Sequence, residues 1–230
     1  MNRHMEMIAI VAKAMGGVML KSVAFAGGCT TGLLLTDDFS KEQVRHTDDV
    51  DLIVHVVGHR GMEELQAELT RRGFEHIMDD DAPICSMRFG ALRVDFMPDD
   101  PKIFGFSNRW YKQALQTATE YELPDGLSIR LITPLYFVAT KIEAFLGRGN
   151  NDPLGSRDIE DILTLIDGRA ELVDELKAAP KDVSQYINKE LTELIRANQF
   201  SYAVTSAAGN DAGREDLIFQ RLEAIIKGTT

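Results

Sequence analysis

Hydrophobic residues recur at two different periods along this chain, and the change of period divides it near residue 132. In the first part, short apolar runs and alternating segments predict strands at 22–26, 49–57, 84–89, 91–97 and 127–131. Helical periodicity in the same part predicts helices at 5–20, 29–35, 61–72 and 108–118, whereas the polar residues 36–47 predict a loop. From Pro134 onwards the period is almost wholly helical, which predicts helices at 134–146, 156–167, 170–178, 182–197 and 214–227. The pattern therefore predicts an α+β protein with an α/β domain at 1–132 and a helical domain at 133–230.

A double glycine, Gly27-Gly28, follows the first predicted strand, and two aspartates open the second. Because residues i and i+2 of a strand point to the same side, Asp49 and Asp51 are expected to project together, about 6.5–7 Å apart. Carboxylates at that spacing can share a divalent cation, or a pair of cations about 3.5–4 Å apart. Glycines let the backbone approach phosphate oxygens, and a helix that begins there adds amide donors. The combination predicts a metal–triphosphate site, with a solvated strand end as the alternative.

A third aspartate, Asp95, alternates with Val94 and Phe96 in a later predicted strand. Taken alone, this pattern is typical of the solvent face of an antiparallel strand. Beside Asp49 and Asp51 it has a second interpretation, because phosphoryl transfer with two metals needs a carboxylate that deprotonates or orients the attacking hydroxyl. Aspartate is disfavoured inside strands, so three strand aspartates favour the second interpretation.

Lys141 lies on the otherwise apolar surface of the helix predicted at 134–146. It either extends its charge to water or meets an anion inside a cleft. Asp158 borders the apolar stripe of the next helix and needs a partner, for which Lys141 and Arg157 are the candidates. Asp161 lies in the first turn of that helix, where its charge complements the helix dipole and requires no other explanation.

Charge and composition limit the possible partners. The formal net charge of −11 and the sequence pI of about 4.9 disfavour unaided binding to nucleic acid, which depends on phosphate neutralisation by Lys and Arg. No apolar run is long enough for a membrane span, and no signal peptide is predicted. Cys29 and Cys85 form no disulfide framework or metal-ligand spacing. We therefore expect a cytoplasmic protein with no membrane partner.

In their order along the chain, these motifs resemble those of the AbiEii/AbiGii-type nucleotidyltransferases, within the DNA polymerase β-like superfamily. The matching segments are Phe25–Leu33, Arg45–Leu52, Arg93–Asp95, Thr133–Ala144 and Arg157–Ile162. They cover roughly residues 22 to 166, and each is weak alone, whereas the ordered set is fairly specific. The resemblance implies a minimal nucleotidyltransferase core, a mixed β-sheet flanked by helices, followed by a helical domain that closes the nucleotide cleft.

The resemblance also implies roles for particular residues. Asp49 and Asp51 would hold Mg²⁺ or Mn²⁺, and Asp95 would be the third acidic ligand and help to activate the acceptor. Lys141 would contact the nucleoside triphosphate, and Asp158 would complete the family's helical motif. Gly27 and Gly28 would line the triphosphate, but the superfamily's usual serine is missing after the first glycine. Cys29 or Thr30 is the candidate to replace its hydroxyl.

The activity that this resemblance implies is transfer of a nucleoside monophosphate from a nucleoside triphosphate to an acceptor hydroxyl, with release of pyrophosphate. Similar proteins often act as toxins of toxin–antitoxin pairs and some modify tRNA, so tRNA and an antitoxin protein are expected partners. The acidic balance favours a second interpretation, an antibiotic-type nucleotidyltransferase acting on a small cationic molecule. A third is a non-catalytic nucleotide-binding module, which has little need of three aspartates.

Overall fold

A computed structural model describes residues 3–78, 84–105 and 108–228 of the chain. These residues form two compact units: unit 1 comprises Met1–Thr30 and His46–Thr133, and unit 2 comprises Thr31–Arg45 and Pro134–Thr230. The change of unit after Thr133 lies close to the predicted change of domain. Residues 31–45, in contrast, group with the C-terminal helices rather than with the α/β part.

The elements follow one another along the chain as strands and helices with these bounds. The strands are β1 (Val23–Ala26), β2 (Asp49–Val54), β3 (Glu75–His76), β4 (Ser86–Phe89), β5 (Leu92–Pro98), β6 (Thr119–Glu122) and β7 (Ser128–Leu131). The helices are α1 (Arg3–Leu20), α2 (Thr31–Leu34), α3 (Asp38–Glu42), α4 (Gly58–Arg71), α5 (Tyr111–Thr117), α6 (Pro134–Arg148), α7 (Arg157–Gly168), α8 (Leu172–Lys177), α9 (Lys181–Ile195), α10 (Phe200–Ala207) and α11 (Ala212–Lys227).

Unit 1 is built on a mixed sheet, and the predicted α+β class is confirmed. Among the described residues its strands lie in the order β3-β4-β5-β2-β1-β7-β6. The pairs β2–β5 and β1–β7 are parallel, and the others are antiparallel. All four residues of β1 are buried, as are Leu52 and Ile53 of β2, so the core of the unit surrounds the central strands.

The predicted hairpin around Gly90 is confirmed. Phe89 pairs with Leu92, which leaves Gly90 and Ala91 as a two-residue turn. Gly90 has a φ of 59°, the positive value that such tight hairpin turns require. This turn fixes the register of β4 against β5, so every residue of β4 has a defined partner on β5.

Unit 2 places residues 31–45 against α7, and the predicted loop at 36–47 is wrong over α3. The helix begins where the Asp37 carboxylate accepts a hydrogen bond from the amide of Ser40. The amides of Thr36 and Asp37 each donate to the carbonyl of Gly168, at 3.0 Å. A Cβ on Gly168 would lie 2.6 Å from that of Ser40, so only glycine allows this approach. The segment is therefore held by backbone contacts that its polar composition does not reveal.

Other predicted bounds also differ. The strands β3 and β6 and the helix α10 were not expected, and β2 ends at Val54 instead of residue 57. The helix predicted at 29–35 is a 3-10 turn over Gly28–Thr30 followed by α2. Part of the predicted helix at 108–118 remains as α5. Among the helices of the described residues, none combines the length and the hydrophobicity that a bilayer span needs.

Candidate active site

Three of the predicted site residues lie together on one face of the sheet in unit 1. In the parallel pairing of β2 with β5, Asp51 is the partner of Asp95 and Asp49 is the partner of Arg93. Partners on neighbouring strands share a face of the sheet and are separated by about 4.7–4.9 Å. Residues two apart in a strand share that face too. We call Asp49, Asp51, Asp95 and Arg93 the acidic centre.

Arg93 bridges two carboxylates of the acidic centre. Its Nη2 donates to Oδ2 of Asp49, and its Nε lies 3.4 Å from Oδ1 of Asp95. Burial alone would lower the pKa of Arg93, but the charges of Asp95, Asp49 and Asp51 outweigh it and raise that pKa. The sequence reasoning missed this arginine, although its position two residues before Asp95 in the same strand was the available signal.

Asp95 is buried, with 7% of its surface exposed, so the solvent-face interpretation of this residue is wrong. Its Oδ1 accepts a hydrogen bond of 2.6 Å from the buried hydroxyl of Ser86. Ser86 is the β4 partner of Asp95, a pairing that follows from the Gly90 turn and could have been derived from it. Next to Ser86, burial raises the pKa of the Cys85 thiol to about 12, and the charges of Asp95 and Asp51 add to that effect. The Cys85 thiol is therefore expected to stay protonated at neutral pH, and a protonated thiol is a poor nucleophile.

A second hydroxyl holds Asp49 from the opposite side to Arg93. The Oγ1 of Thr47 donates to Oδ1 of Asp49, while the guanidinium of Arg93 contacts Oδ2. Thr47 is buried, and its own amide donates to Nε2 of His4 at 3.2 Å. The hydroxyl of Thr47 therefore helps to orient Asp49, together with the guanidinium of Arg93.

Gly27 makes the closest approach of the backbone to the acidic centre. It has a φ of 71°, and a Cβ at this position would lie 1.6 Å from Oδ2 of Asp51. The turn after it is closed by Thr30, whose hydroxyl donates to the carbonyl of Gly27 at 2.8 Å. The thiol of Cys29 also contacts the backbone three residues earlier, with its Sγ 3.4 Å from the carbonyl oxygen of Ala26. Both candidates for the missing serine hydroxyl therefore contact the turn itself, and phosphate contacts of Thr30 and Gly28 stay predictions.

The acidic centre has carboxylate donors, and the guanidinium of Arg93 lies against two of them. Carboxylate oxygens are the ligands that Mg²⁺ prefers in proteins. Within the ranges that the structure describes, no three histidine, cysteine, aspartate or glutamate side chains are arranged to hold a metal ion. Asp49 and Asp95 both contact the guanidinium of Arg93 instead. The carboxylates fit a divalent cation in their donor chemistry, and two of them contact the guanidinium of Arg93 in this structure.

Lys141 and Asp158, the other two predicted site residues, lie together in unit 2. Only 7% of the Lys141 surface is exposed, so the interpretation in which this lysine extends to water is wrong. Its Nζ lies 3.1 Å from Oδ1 of Asp158 and 2.6 Å from Oδ2 of Asp161. Of the two partners considered for Asp158, the structure supports Lys141.

Two arginines complete this group. Arg45 donates from Nε and Nη2 to the two oxygens of Asp161, at 2.8 and 2.9 Å. Arg148 contacts both oxygens of Asp158, at 3.0 and 2.9 Å. Asp161 is only 1% exposed, so its explanation by the helix dipole alone is wrong. We call Arg45, Lys141, Arg148, Asp158 and Asp161 the ion cluster.

The charge state of Asp158 follows from these contacts. Burial by itself would raise the pKa of this carboxyl. The hydrogen bond from Arg148 and the positive charge of Lys141 outweigh burial and hold the pKa below its ordinary value. Asp158 is therefore ionised at neutral pH and anchors Lys141 electrostatically.

No protein-family model matches the chain, and no curated protein matches it.

Proposed function

We propose that this protein is a metal-dependent nucleotidyltransferase that moves a nucleoside monophosphate from a nucleoside triphosphate to an acceptor hydroxyl and releases pyrophosphate. The observation that carries the proposal is the acidic centre, where the partners Asp51 and Asp95 lie on adjacent parallel strands with Asp49 on the same face. Such a group suits nucleotidyl transfer, because carboxylates can hold the cations that neutralise charge on the triphosphate and on the attacking oxygen. We also propose that the mixed sheet of unit 1 is a minimal nucleotidyltransferase core.

Each residue of the acidic centre has a separate task in this proposal. Asp49 and Asp51 hold Mg²⁺ or Mn²⁺, and Asp95 shares in that binding and orients the acceptor hydroxyl. The bound cation would supply the positive charge that positions the triphosphate and stabilises its leaving group. Gly27 has no side chain that would overlap the Asp51 carboxylate, so the backbone of the turn can lie directly beside this proposed ligand.

Lys141 is the residue that we assign to the triphosphate. A buried lysine with carboxylate partners is already placed for an anion, and phosphate oxygens are chemically equivalent partners. Asp158 is then the positioning residue that orients Lys141 while the nucleotide is absent. This assignment requires that a phosphate oxygen replaces a carboxylate oxygen as the partner of the Lys141 Nζ.

The acceptor divides the proposal into two versions. In one version the protein is a toxin of a toxin–antitoxin pair and modifies tRNA. In the other it modifies a small cationic molecule of the antibiotic type, which the net charge of −11 favours. A non-catalytic nucleotide-binding module is a separate candidate, and the observation in its favour is that Arg93 already neutralises part of the acidic centre.

A labelling experiment tests the proposal. The protein is incubated with each of the four labelled nucleoside triphosphates and Mg²⁺, together with total tRNA, a set of aminoglycosides, or no acceptor. We expect label on one acceptor class, and its identity separates the two versions. If no acceptor and no self-labelling appears with any triphosphate while a triphosphate binds tightly, the non-catalytic module replaces the enzyme.

A further inference from the structure

Unit 2 contains a cavity of about 430 Å³ that the proposed reaction does not use. It is lined by residues 36 and 37 before α3, by the end of α7 with the loop to α8, and by one face of α11. All the lining residues belong to unit 2, so the cavity is a feature of this unit alone. Sites for small molecules typically have volumes of about 300–1,000 Å³. The cavity lies near the lower end of that range, which suits a small metabolite.

Two of the three carboxylates that line the cavity have their own partners. Asp37 accepts hydrogen bonds from the amide and the hydroxyl of Ser40, and Nη2 of Arg214 lies 3.3 Å from it. Glu171 accepts a hydrogen bond of 2.8 Å from the hydroxyl of Thr36. Both acids are also exposed, so solvent reaches their remaining oxygens. Neither of them requires a ligand.

The third carboxylate, Asp167, is buried, with 7% of its surface exposed, and only one of its oxygens has partners. Its Oδ2 accepts hydrogen bonds from the guanidinium of Arg214 and one of 3.5 Å from the hydroxyl of Ser40. Its Oδ1 is buried and accepts no hydrogen bond from any described residue. Burial of a polar atom without a partner is costly, so nearly all such atoms in folded proteins are hydrogen-bonded. Oδ1 therefore needs an N–H or O–H donor from outside the described chain.

Arg221 has the complementary property, because its guanidinium has donors that are not used. Among the described residues, only the carbonyl oxygens of Ile166 and Asp167 accept from it, and both accept from Nη1. The pKa of Glu171 is lowered by the hydrogen bonds of its own amide and of Thr36, and the charge of Arg221 adds to this effect without an ion pair. A guanidinium has five N–H donors in a planar fork. The edge formed by Nε and Nη2 therefore remains for an anion, beside the residue that carries the unpaired oxygen.

An unpaired carboxylate oxygen next to an unused guanidinium edge is complementary to a small molecule that carries both an ammonium and a carboxylate group. Ala170 and Leu217 also line the cavity and offer apolar surface to an aliphatic side chain. We propose that this cavity binds a free aliphatic α-amino acid, with its ammonium group on Asp167 and its carboxylate on Arg221. The inference is independent of the proposed function, because it uses neither the acidic centre nor the ion cluster.

The test is isothermal titration calorimetry of the full chain with L-leucine, L-valine and L-isoleucine as probes. We expect saturable binding of at least L-leucine. Three analogues each lack one of its groups: 3-methylbutylamine lacks the carboxylate, 4-methylpentanoate lacks the ammonium and glycine lacks the side chain. Each analogue should bind about ten-fold more weakly or worse, because a hydrogen bond to a charged group or an apolar contact is lost.

Charge variants assign the two polar contacts. Arg221→Gln and Asp167→Asn should each raise the dissociation constant for L-leucine by about ten-fold or more, because a charged partner of the ligand is removed. Arg196→Gln and Asp174→Asn are the matched controls, since they make the same changes in charge at exposed positions of unit 2. Solvent screens their effect on the cavity, so we expect changes within about two-fold.

A blocking variant tests the location without changing any charge, because Asp167→Asn also weakens the contact with Arg214. Ala170 is exposed and lines the cavity, so Ala170→Leu places a larger side chain in the cavity wall without disturbing the core. It should weaken L-leucine binding by about ten-fold or more while the unfolding midpoint without ligand stays unchanged. Ala178→Leu is the control, at an exposed alanine that ends α8 and is not among the lining residues. Saturating L-leucine should raise the unfolding midpoint of this control as it does that of the wild type.

The inference is overturned if none of the three amino acids binds to the folded chain. It is also overturned if 3-methylbutylamine or 4-methylpentanoate binds as tightly as L-leucine, because one of the two charged contacts is then not made. Equal effects of the cavity variants and their controls would place the amino acid elsewhere and contradict it as well. Calorimetry uses no nucleotide, so each of these results is distinct from a failure of nucleotidyl transfer.

Discussion

The acidic centre of unit 1 and the ion cluster of unit 2 are made from the same kinds of side chain in opposite proportions. The acidic centre has three carboxylates and one guanidinium, which contacts Asp49 and Asp95. In the ion cluster two carboxylates share an ammonium and two guanidinium groups. The cluster carboxylates are 4% and 1% exposed, whereas Asp49 and Arg93 of the centre remain partly accessible.

The two groups therefore differ in how many positively charged side chains contact their carboxylates. A charge that leaves water entirely has to be compensated by close partners, because its desolvation costs several kcal/mol per ion. The ion cluster meets that requirement within the chain. In the acidic centre the side chain of Asp49 stays partly exposed, as the proposed binding of a cation requires.

The largest expected effect is on the ion cluster. In Asp161→Ala, Arg45 and Lys141 lose their shared carboxylate while both remain largely buried. We expect the free energy of unfolding to fall by about 3–5 kcal/mol, measured by urea denaturation. The control Glu160→Ala removes a neighbouring acid that is 49% exposed and approaches Arg45 only at 4.0 Å. It should change the free energy of unfolding by at most about 1 kcal/mol, and equal losses in the two variants would remove the distinction.

The second effect concerns the turn beside the acidic centre. Gly27→Ala should lower the free energy of unfolding by about 2–3 kcal/mol, because the backbone is left-handed and the new Cβ would overlap Asp51. Gly126→Ala is the matched control, since Gly126 has a φ of +80° and nothing within 4 Å of an added Cβ. It should show the backbone cost alone, about 1–2 kcal/mol. Only Gly27→Ala should also impair cation binding, and identical behaviour of the two variants contradicts the close approach.

The third and smallest effect is a pH dependence at Asp158. Because the folded state lowers the pKa of this carboxyl, its contribution to stability is complete above its ordinary pKa of 3.8 and is lost as the pH falls through the folded value. Asp158→Asn should therefore cost about 1–2 kcal/mol at pH 7, with a difference from the wild type that shrinks below pH 3.8. Urea denaturation across this range gives the comparison. A difference that is constant with pH would show that the charge of Asp158 contributes nothing.

Much of the acidic centre could be predicted from local patterns. Strand alternation places Asp49 and Asp51 on one face, and the two-residue turn at Gly90 sets the register of the hairpin that carries Asp95. The parallel pairing that makes Asp95 the partner of Asp51 is a contact between distant segments, so no local pattern contains it. Arg93 and Ser86 were missed although local signals existed, since Arg93 lies two residues before Asp95 in the same strand and Ser86 is the hairpin partner of Asp95.

The ion cluster was harder to predict, because its members come from three separate segments of the chain. The polar loop that carries Arg45 belongs to unit 2 through hydrogen bonds to the carbonyl of Gly168. Such contacts are made by backbone atoms and leave no trace in a hydrophobic pattern. Asp161 illustrates the consequence, since a position in the first turn of a helix explains an exposed acid equally well.

The most direct test of the account compares Asp51→Asn with the wild type for pyrophosphate release and for thermal stability. Release is measured with Mg²⁺, each triphosphate and the acceptor that takes label, and Glu120→Gln serves as the control, because Glu120 is an exposed acid on an edge strand of the same sheet. We predict that Asp51→Asn loses release by orders of magnitude while its unfolding midpoint stays equal or rises, and that Glu120→Gln changes neither. Near-normal release by Asp51→Asn, or a loss of release that merely accompanies unfolding, would contradict the central claim.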